Sequence, residues 1–127
     1  MRIFKTKEFS RYTRREGVNN NQLCEAVRRT ETGLRDADLG GGGLIKQRIA
    51  RTGRGRRGGY RFLMAFRVTR RTVFLYGFAK SERENIQPDE LNFWRSVAVA
   101  FIGMDETKIK IMLNEGEISE VDCGEEN

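Results

Sequence analysis

Five basic side chains could act together on one phosphate group: Lys46, Arg48, Arg61, Lys80 and Arg83. Arginine stays charged and can donate two hydrogen bonds to a phosphate. Lysine near other cations has a lowered pKa, because neighbouring positive charge disfavours its charged form, and it can therefore act as an acid or a base. Cleaving RNA without a metal needs a base for the 2′-hydroxyl, donors for the charge that develops on the phosphate, and an acid for the leaving oxygen. These residue types can supply all three if the fold brings them together.

Two predicted strands must position the first three of these residues. Residues 44–50 alternate in polarity, which places Lys46 and Arg48 on one face because side chains repeat every two residues along a strand. Residues 60–68 also alternate, with Arg61 on the face opposite the aromatic residues of that strand. If the two strands are neighbours, the three cations lie close together.

A third predicted strand, 72–80, is apolar on both faces and is therefore expected to be central in the sheet. It ends at Lys80, and Arg83 follows shortly after. We expect the three strands to be antiparallel neighbours, so that five cations surround one concave patch.

The rest of the chain is predicted to be mostly helical, which gives a single α+β domain over 1–127 without linkers or repeats. Proline and neighbouring acids at the start of a helical pattern favour a helix N-terminus, and glycine favours the end of one. The predicted elements are a strand at 2–4, a helix at 5–15 stopped by Gly17, a helix from Asn19 or Asn20 to Gly33, a flexible loop at 35–43, helices from Pro88 and at 106–113, and a strand at 118–121.

The net charge of +6 is unevenly distributed along the 127 residues. Residues 46–71 carry ten basic and no acidic side chains, whereas 105–127, an acidic C-terminal extension, carry two basic and eight acidic ones. So dense a basic block favours a polyanionic partner, first nucleic acid and second an acidic peptide. The tail of this extension, Glu115 to Glu126, is either a solvated chain end or a segment that folds over the basic patch and competes with RNA.

Several classes of function are excluded by what the sequence lacks. The chain has no histidine, which excludes ribonucleases with a histidine pair and imidazole triads, and we expect no metal and no cofactor. Gly53 to Gly58 match G-x-G-x-x-G, but a strand pattern follows where a dinucleotide site needs a helix. No apolar run approaches the length of a membrane span, and no signal peptide is visible, so we expect a cytoplasmic protein in which Cys24 and Cys123 are free thiols.

Three blocks of sequence together resemble the RelE/ParE superfamily of toxin–antitoxin toxins, and most closely its HigB-like branch. They are GGLIKQRIA at 42–50, RGRRGGYR at 54–61 and FLYGFAKSERENI at 74–86, in the order that the family has them. The resemblance implies a RelE-like fold, with two N-terminal helices and C-terminal helices packed on a small antiparallel sheet. It also implies a type II toxin that cleaves mRNA without metal, commonly on the ribosome, and an antitoxin that is typically a helix-turn-helix DNA-binding protein.

The same resemblance assigns residues to the site. Lys46 and Arg48 match the basic pair of the second family strand, Arg61 matches the arginine that contacts the scissile phosphate, and Lys80, Glu82 and Arg83 match the K-x-E-R block. Ser81 replaces an arginine of many relatives, and Ile86 and Gln87 stand where several relatives have a tyrosine or histidine acid or base. The division of acid and base roles therefore departs from the family pattern.

The arginine-rich stretch between the two strands is predicted to bind the RNA backbone. Its arginines would make phosphate contacts that do not depend on base sequence, and Tyr60 could stack on a base or belong to the core. The residues assigned to RNA binding are Arg51, Arg54, Arg56, Arg57 and Tyr60.

Three functions stay open from the sequence: a ribonuclease toxin, a toxin of the same fold with another target, as ParE relatives have in DNA gyrase, and a basic module that binds RNA or ribosomes without cutting. The convergence of Lys46, Arg48, Arg61 and Lys80 favours the first. Trp94 is expected in the core, and Glu82 either takes part in catalysis or pairs with Arg83 or Arg61.

Overall fold

The computed structural model describes residues 1–50 and 59–124, which form one mixed sheet of six strands with helices packed on both faces. No helix in this part of the chain is long and apolar enough to cross a membrane. The elements are β1 Arg2–Thr6, α1 Lys7–Glu16, α2 Asn20–Glu31, β2 Ala37–Asp38, β3 Leu44–Ile49, β4 Tyr60–Arg67, β5 Arg71–Ala79, α3 Pro88–Gly103, α4 Glu106–Asn114 and β6 Ile118–Glu120.

The strand order is β2-β3-β4-β5-β1-β6. Strands β3, β4 and β5 are antiparallel neighbours, and β5 is central, as predicted. The α+β class is confirmed, but the expectation of an antiparallel sheet is wrong at one pairing, because β1 runs parallel to β5. A pairing between strands so far apart in the chain leaves no local pattern to detect.

Helix ends follow the capping residues seen in the sequence. Gly17 ends α1 in the left-handed conformation, with φ of 76°, which glycine adopts without a steric cost. Asn19 begins α2 in a capping box: its side chain accepts from the backbone N–H of Gln22 at 3.0 Å, and its own N–H donates to the Gln22 side chain at 3.0 Å. Pro88 occupies the first turn of α3.

Each face of the sheet carries its own apolar core. We call these faces the α1 face, on which α1 and α2 pack, and the α3 face, on which α3 and α4 pack. Alternation along β4 divides its residues between them. Buried residues on the α1 face include Phe9, Leu23, Ile45, Phe62, Met64 and Phe74, and those on the α3 face include Leu44, Leu63, Ala65, Val73, Ala98 and Ile109.

The segment 35–43, expected to be a flexible loop, contains the short strand β2. Ala37 pairs with Lys46, and Asp38 pairs with Ile45. A strand of two residues is too short to produce a visible alternation, so the sequence could not reveal it. The pairing matters because it fixes the residue before β2, Asp36, beside β3.

The end of the acidic extension, from β6 onward, lies at the opposite edge of the sheet from Lys46 and Arg48. Strand β6 pairs with β1 at the sheet edge opposite β2 and β3. Acidic residues in and just before β6 form ion pairs with β1 and α1: Glu120 with Arg2 at 3.0 Å and Glu117 with Lys7 at 3.5 Å. For this part of the extension, the hypothesis that it folds over the basic patch is wrong, because strand pairing holds it at the other edge.

The expectation of two free thiols is also wrong, because Cys24 and Cys123 form a disulfide. Cys24 lies in α2 and is 3% exposed, and Cys123 follows β6. The two residues are separated by 99 positions in the chain, but the fold brings their Cα atoms to 5.8 Å, within the range a disulfide requires. Proximity created by the tertiary fold cannot be inferred from spacing alone.

We expect the Cys24→Ser/Cys123→Ser double variant to be less stable than wild type by about 2–4 kcal/mol, because a disulfide that closes so long a loop restricts the unfolded chain. The measurement is urea unfolding with and without a phosphine reductant. Reductant should destabilise the wild type and leave the double variant unchanged. Two titratable thiols in the native wild-type protein, purified without reductant, would contradict the disulfide.

Candidate functional site

Lys46, Arg61 and Asp36 form the centre of the candidate site, which we call the Asp36 cluster. A single carboxylate oxygen, Oδ2 of Asp36, lies 3.4 Å from Lys46 Nζ and 3.5 Å from Arg61 Nε. The side chains are 23% exposed for Asp36, 19% for Lys46 and 8% for Arg61. Two cations from neighbouring strands therefore converge on one negatively charged oxygen in a partly desolvated setting, where electrostatic interactions are stronger than in water.

The strand register extends this cluster into a basic row. Arg48 lies opposite Arg61 across β3 and β4, and Arg61 lies opposite Phe78 across β4 and β5. Directly paired residues project from the same face, so Arg48 shares the face of Arg61 and, two residues away on its own strand, of Lys46. Arg48 is exposed. The prediction that Lys46 and Arg48 share a face with Arg61 is confirmed, and this is the α3 face.

Arg83 reaches the same row from beyond the end of β5. Its guanidinium lies 5.5 Å from the centre of the Phe78 ring and donates to the Tyr76 hydroxyl at 3.1 Å. A two-pronged ion pair joins it to Glu90 of α3, at 2.5 and 3.2 Å. The hydrogen bond from Arg83 holds the pKa of Glu90 below its usual value, and the same bond raises the pKa of Arg83. The pair thus stays ionised and fixes the guanidinium beside the aromatic residues.

Lys80 and Glu82 lie in the turn after β5. The backbone N–H of Lys80 donates to the carbonyl of Gly59 at 2.9 Å, so Lys80 is placed at the end of the β4–β5 pair, near Arg61 in the fold. Glu82 is exposed. Glu82 is close enough to α1 to affect Tyr12. The pKa of the Tyr12 hydroxyl is raised mainly by burial, and the negative charge of Glu82 raises it further. The ion-pair partner of Arg83 is Glu90 rather than Glu82.

Aromatic residues line the site on one side and the core on the other. Trp94 of α3 stacks on Tyr76 with ring centres 5.2 Å apart, at the margin of the core on the α3 face. Tyr60 is 4% exposed, packs edge-on against Tyr12, and donates from its hydroxyl to Glu16 at 3.0 Å. This packing favours the core interpretation of both Trp94 and Tyr60.

Four residues assigned to RNA binding, Arg51, Arg54, Arg56 and Arg57, lie outside the described residues. The described part of the basic block divides into two groups and Arg71, which donates to the carbonyls at the end of α3. Lys46, Arg48 and Arg61 belong to the row on the α3 face, and Arg67 and Arg70 are exposed at the β4–β5 turn. Arg71 is buried, with its side chain 4% exposed.

Sequence reasoning missed the two acids that hold this site. Asp36 lies in a segment expected to be a flexible loop, and only the pairing of β2 with β3 brings it beside Lys46. Glu90 is one of the acids in the first turn of α3, where it suits the helix dipole, but its ion pair with Arg83 depends on how α3 packs. Neither contact has a signature in residue spacing.

The arrangement can bind a phosphate and stabilise charge that develops on it. Lysine and arginine donors converge on one point, and arginines extend the positive surface to both sides. Within residues 1–50 and 59–124, no group of three or more histidine, cysteine, aspartate or glutamate side chains could hold a metal ion. The chemistry that these described residues can carry out themselves is phosphate binding by cationic donors.

Over residues 1–121 the chain matches the family described as "RelE toxin of RelE / RelB toxin-antitoxin system". A comparison with curated proteins found no match. The family match includes every element of the fold and the whole basic row on the α3 face.

Proposed function

This chain belongs to the RelE toxin family, and on that premise we propose that it is an endoribonuclease that cleaves messenger RNA without a metal ion. Membership makes it a toxin of a toxin–antitoxin system, with an antitoxin as its partner. The observation that carries the proposed activity is the convergence of Lys46 and Arg61 within 3.5 Å of a single oxygen atom. A phosphate oxygen is the acceptor that such a pair of donors suits.

In the proposed reaction, the scissile phosphate binds at the basic row. Arg61 and Lys46 stabilise the negative charge that builds on the phosphate oxygens, where preorganised donors lower the barrier most. Arg48 and Arg83 hold the RNA backbone on either side. Lys80, at the end of the β4–β5 pair, is proposed to exchange protons with the 2′-hydroxyl or the leaving oxygen, and Glu82 to act with it.

We further propose the setting in which this activity operates. The resemblance to the HigB-like branch supports a toxin that acts on mRNA at the ribosome, inhibits translation and is neutralised by a helix-turn-helix antitoxin. A cytoplasmic location follows from that target. The Cys24–Cys123 disulfide is unusual for such a location, because the cytoplasm keeps most thiols reduced.

The test is growth after induced expression, with primer extension on a reporter message. We expect wild type to arrest growth and to create new 5′ ends, and Lys46→Ala to reduce cleavage by about 10²-fold, because it removes one donor to the developing charge. Lys110→Ala, an exposed lysine on α4, is the matched control and should behave as wild type.

Other outcomes would identify the alternatives. Growth arrest without new 5′ ends would replace the ribonuclease by a toxin with another target, as in the ParE relatives. No arrest from a folded wild-type protein, together with retained RNA binding, would leave a basic module that binds without cutting.

A further inference from the structure

Asp36 carries a negative charge at the place where the proposed function requires the negative charge of RNA. Its Oδ2 atom contacts both Lys46 Nζ and Arg61 Nε, at 3.4 and 3.5 Å. Most ion pairs among the described residues join more exposed side chains, such as Arg28 and Glu25, which are 60% and 54% exposed. The Asp36 side chain, 23% exposed, pairs with two cations that are themselves 19% and 8% exposed, so this ion pair is more shielded from water than most others on the described surface.

The backbone holds Asp36 in place. Its N–H donates to the carbonyl of Lys46 at 3.1 Å, and Gln47 donates from its side chain to the carbonyl of Leu34 at 2.6 Å. On the other flank, Arg35 lies 5.4 Å from the centre of the Phe66 ring and donates to the carbonyl of Thr30 at 3.3 Å. The segment before β2 is thus fixed to β3 and α2, and the carboxylate has little freedom to leave its two partners.

We propose that Asp36 is a positioning residue that keeps Lys46 and Arg61 pointed at one place on the α3 face, where the scissile phosphate binds. Two like charges on neighbouring strands repel each other, and a carboxylate that pairs with both of them offsets that repulsion. The ion pair of Asp36 with Nε, at 3.5 Å, acts together with the hydrogen bond from Nη1 to the carbonyl of Tyr60, at 3.3 Å, to set the plane of the Arg61 guanidinium. This inference rests on the proposed function and names a residue that the family resemblance did not supply.

A positioning role predicts that binding and turnover change in opposite directions in Asp36→Asn. Removing a negative charge beside two cations strengthens their attraction for phosphate, so affinity for RNA should rise about two- to fivefold. The released donors are no longer aligned with the transition state, and a small misplacement of catalytic donors slows turnover by about 10- to 100-fold. A residue that merely stabilised the fold would weaken both properties together.

The experiment compares wild type, Asp36→Asn and Asp38→Asn. Asp38 is the matched control, because it lies two residues further along the chain, in β2, and pairs with Arg35. Single-turnover cleavage of a short RNA gives the rate, and binding of the same RNA with a 2′-deoxy substitution at the cleavage site gives the affinity without reaction. Tighter binding with slower cleavage in Asp36→Asn alone is the expected result. Cleavage as fast as wild type, or faster, would overturn the inference.

A second readout does not depend on cleavage. Nitrogen-15 relaxation of the Arg61 Nε–H group measures how firmly its guanidinium is held, and we expect that order to fall in Asp36→Asn and not in Asp38→Asn. Unchanged order at Arg61 would overturn the positioning role even if the wild type cleaves RNA. If the wild type does not cleave RNA but the order falls, the proposed function fails and the placement of Arg61 by Asp36 stands.

Discussion

Arg61→Ala is expected to cleave RNA about 10²- to 10³-fold more slowly than wild type, which is the usual effect of removing one preorganised donor from a site where negative charge develops. Arg61 is the most buried cation of the Asp36 cluster, at 8% exposure, and it lies in the centre of the row between Arg48 and Phe78. Its guanidinium therefore acts at the least solvated point of the site, where an electrostatic contribution is largest.

Two further variants separate catalysis from folding in this prediction. Arg61→Lys keeps a positive charge but loses the planar fork, so we expect it to fold as wild type and to recover only part of the activity. Arg67→Ala removes an exposed arginine at the other end of β4, whose guanidinium donates to the Gly42 carbonyl, and should cleave normally. Equal rates for Arg61→Ala and Arg67→Ala, measured by single-turnover cleavage on folded proteins, would exclude a catalytic role for Arg61.

Local signals were sufficient to predict most elements of the fold. Gly17, the Asn19 capping box and Pro88 mark helix ends through interactions within a few residues, and the alternation in β3 and β4 assigns their side chains to faces. The features that sequence reasoning missed all depend on contacts between distant segments. The parallel β1–β5 pairing, the two-residue strand β2 and the Cys24–Cys123 disulfide are products of the assembled fold.

The candidate site divides in the same way. The two-residue spacing predicted that Lys46 and Arg48 share a face of β3. The expectation that β3 and β4 are neighbours then predicted that Arg61 lies beside them. The acids that pair with these cations could not be predicted. Asp36, which pairs with Lys46 and Arg61, lies in the segment before β2. Glu90, which pairs with Arg83, lies in α3, and no local sequence pattern specifies how either segment packs. Charge counting also treats all ten basic residues of 46–71 alike, although their surroundings differ.

Arg71 is the clearest case of this difference, and we expect Arg71→Ala to lower the free energy of unfolding by about 2–4 kcal/mol. Its guanidinium is buried and donates to the carbonyls of Phe101 and Met104, both at 2.7 Å, and to Glu106 at 2.9 Å. The last carbonyls of a helix have no partner within it. Arg71 donates to those at the end of α3, and alanine would remove this charged donor from them.

Urea unfolding of Arg71→Ala beside Arg70→Ala measures this contribution. Arg70 is the exposed neighbour in the turn before β5, and its loss should change stability by no more than about 0.5 kcal/mol. Cleavage, measured well below the unfolding transition, should be close to normal in both variants. Arg71 would then stabilise the fold without acting on RNA, and Arg61→Lys would show the reverse. If Arg71→Ala instead lost cleavage while remaining as stable as wild type, Arg71 would act on RNA, and its hydrogen bonds to the end of α3 would not mark it as a structural arginine.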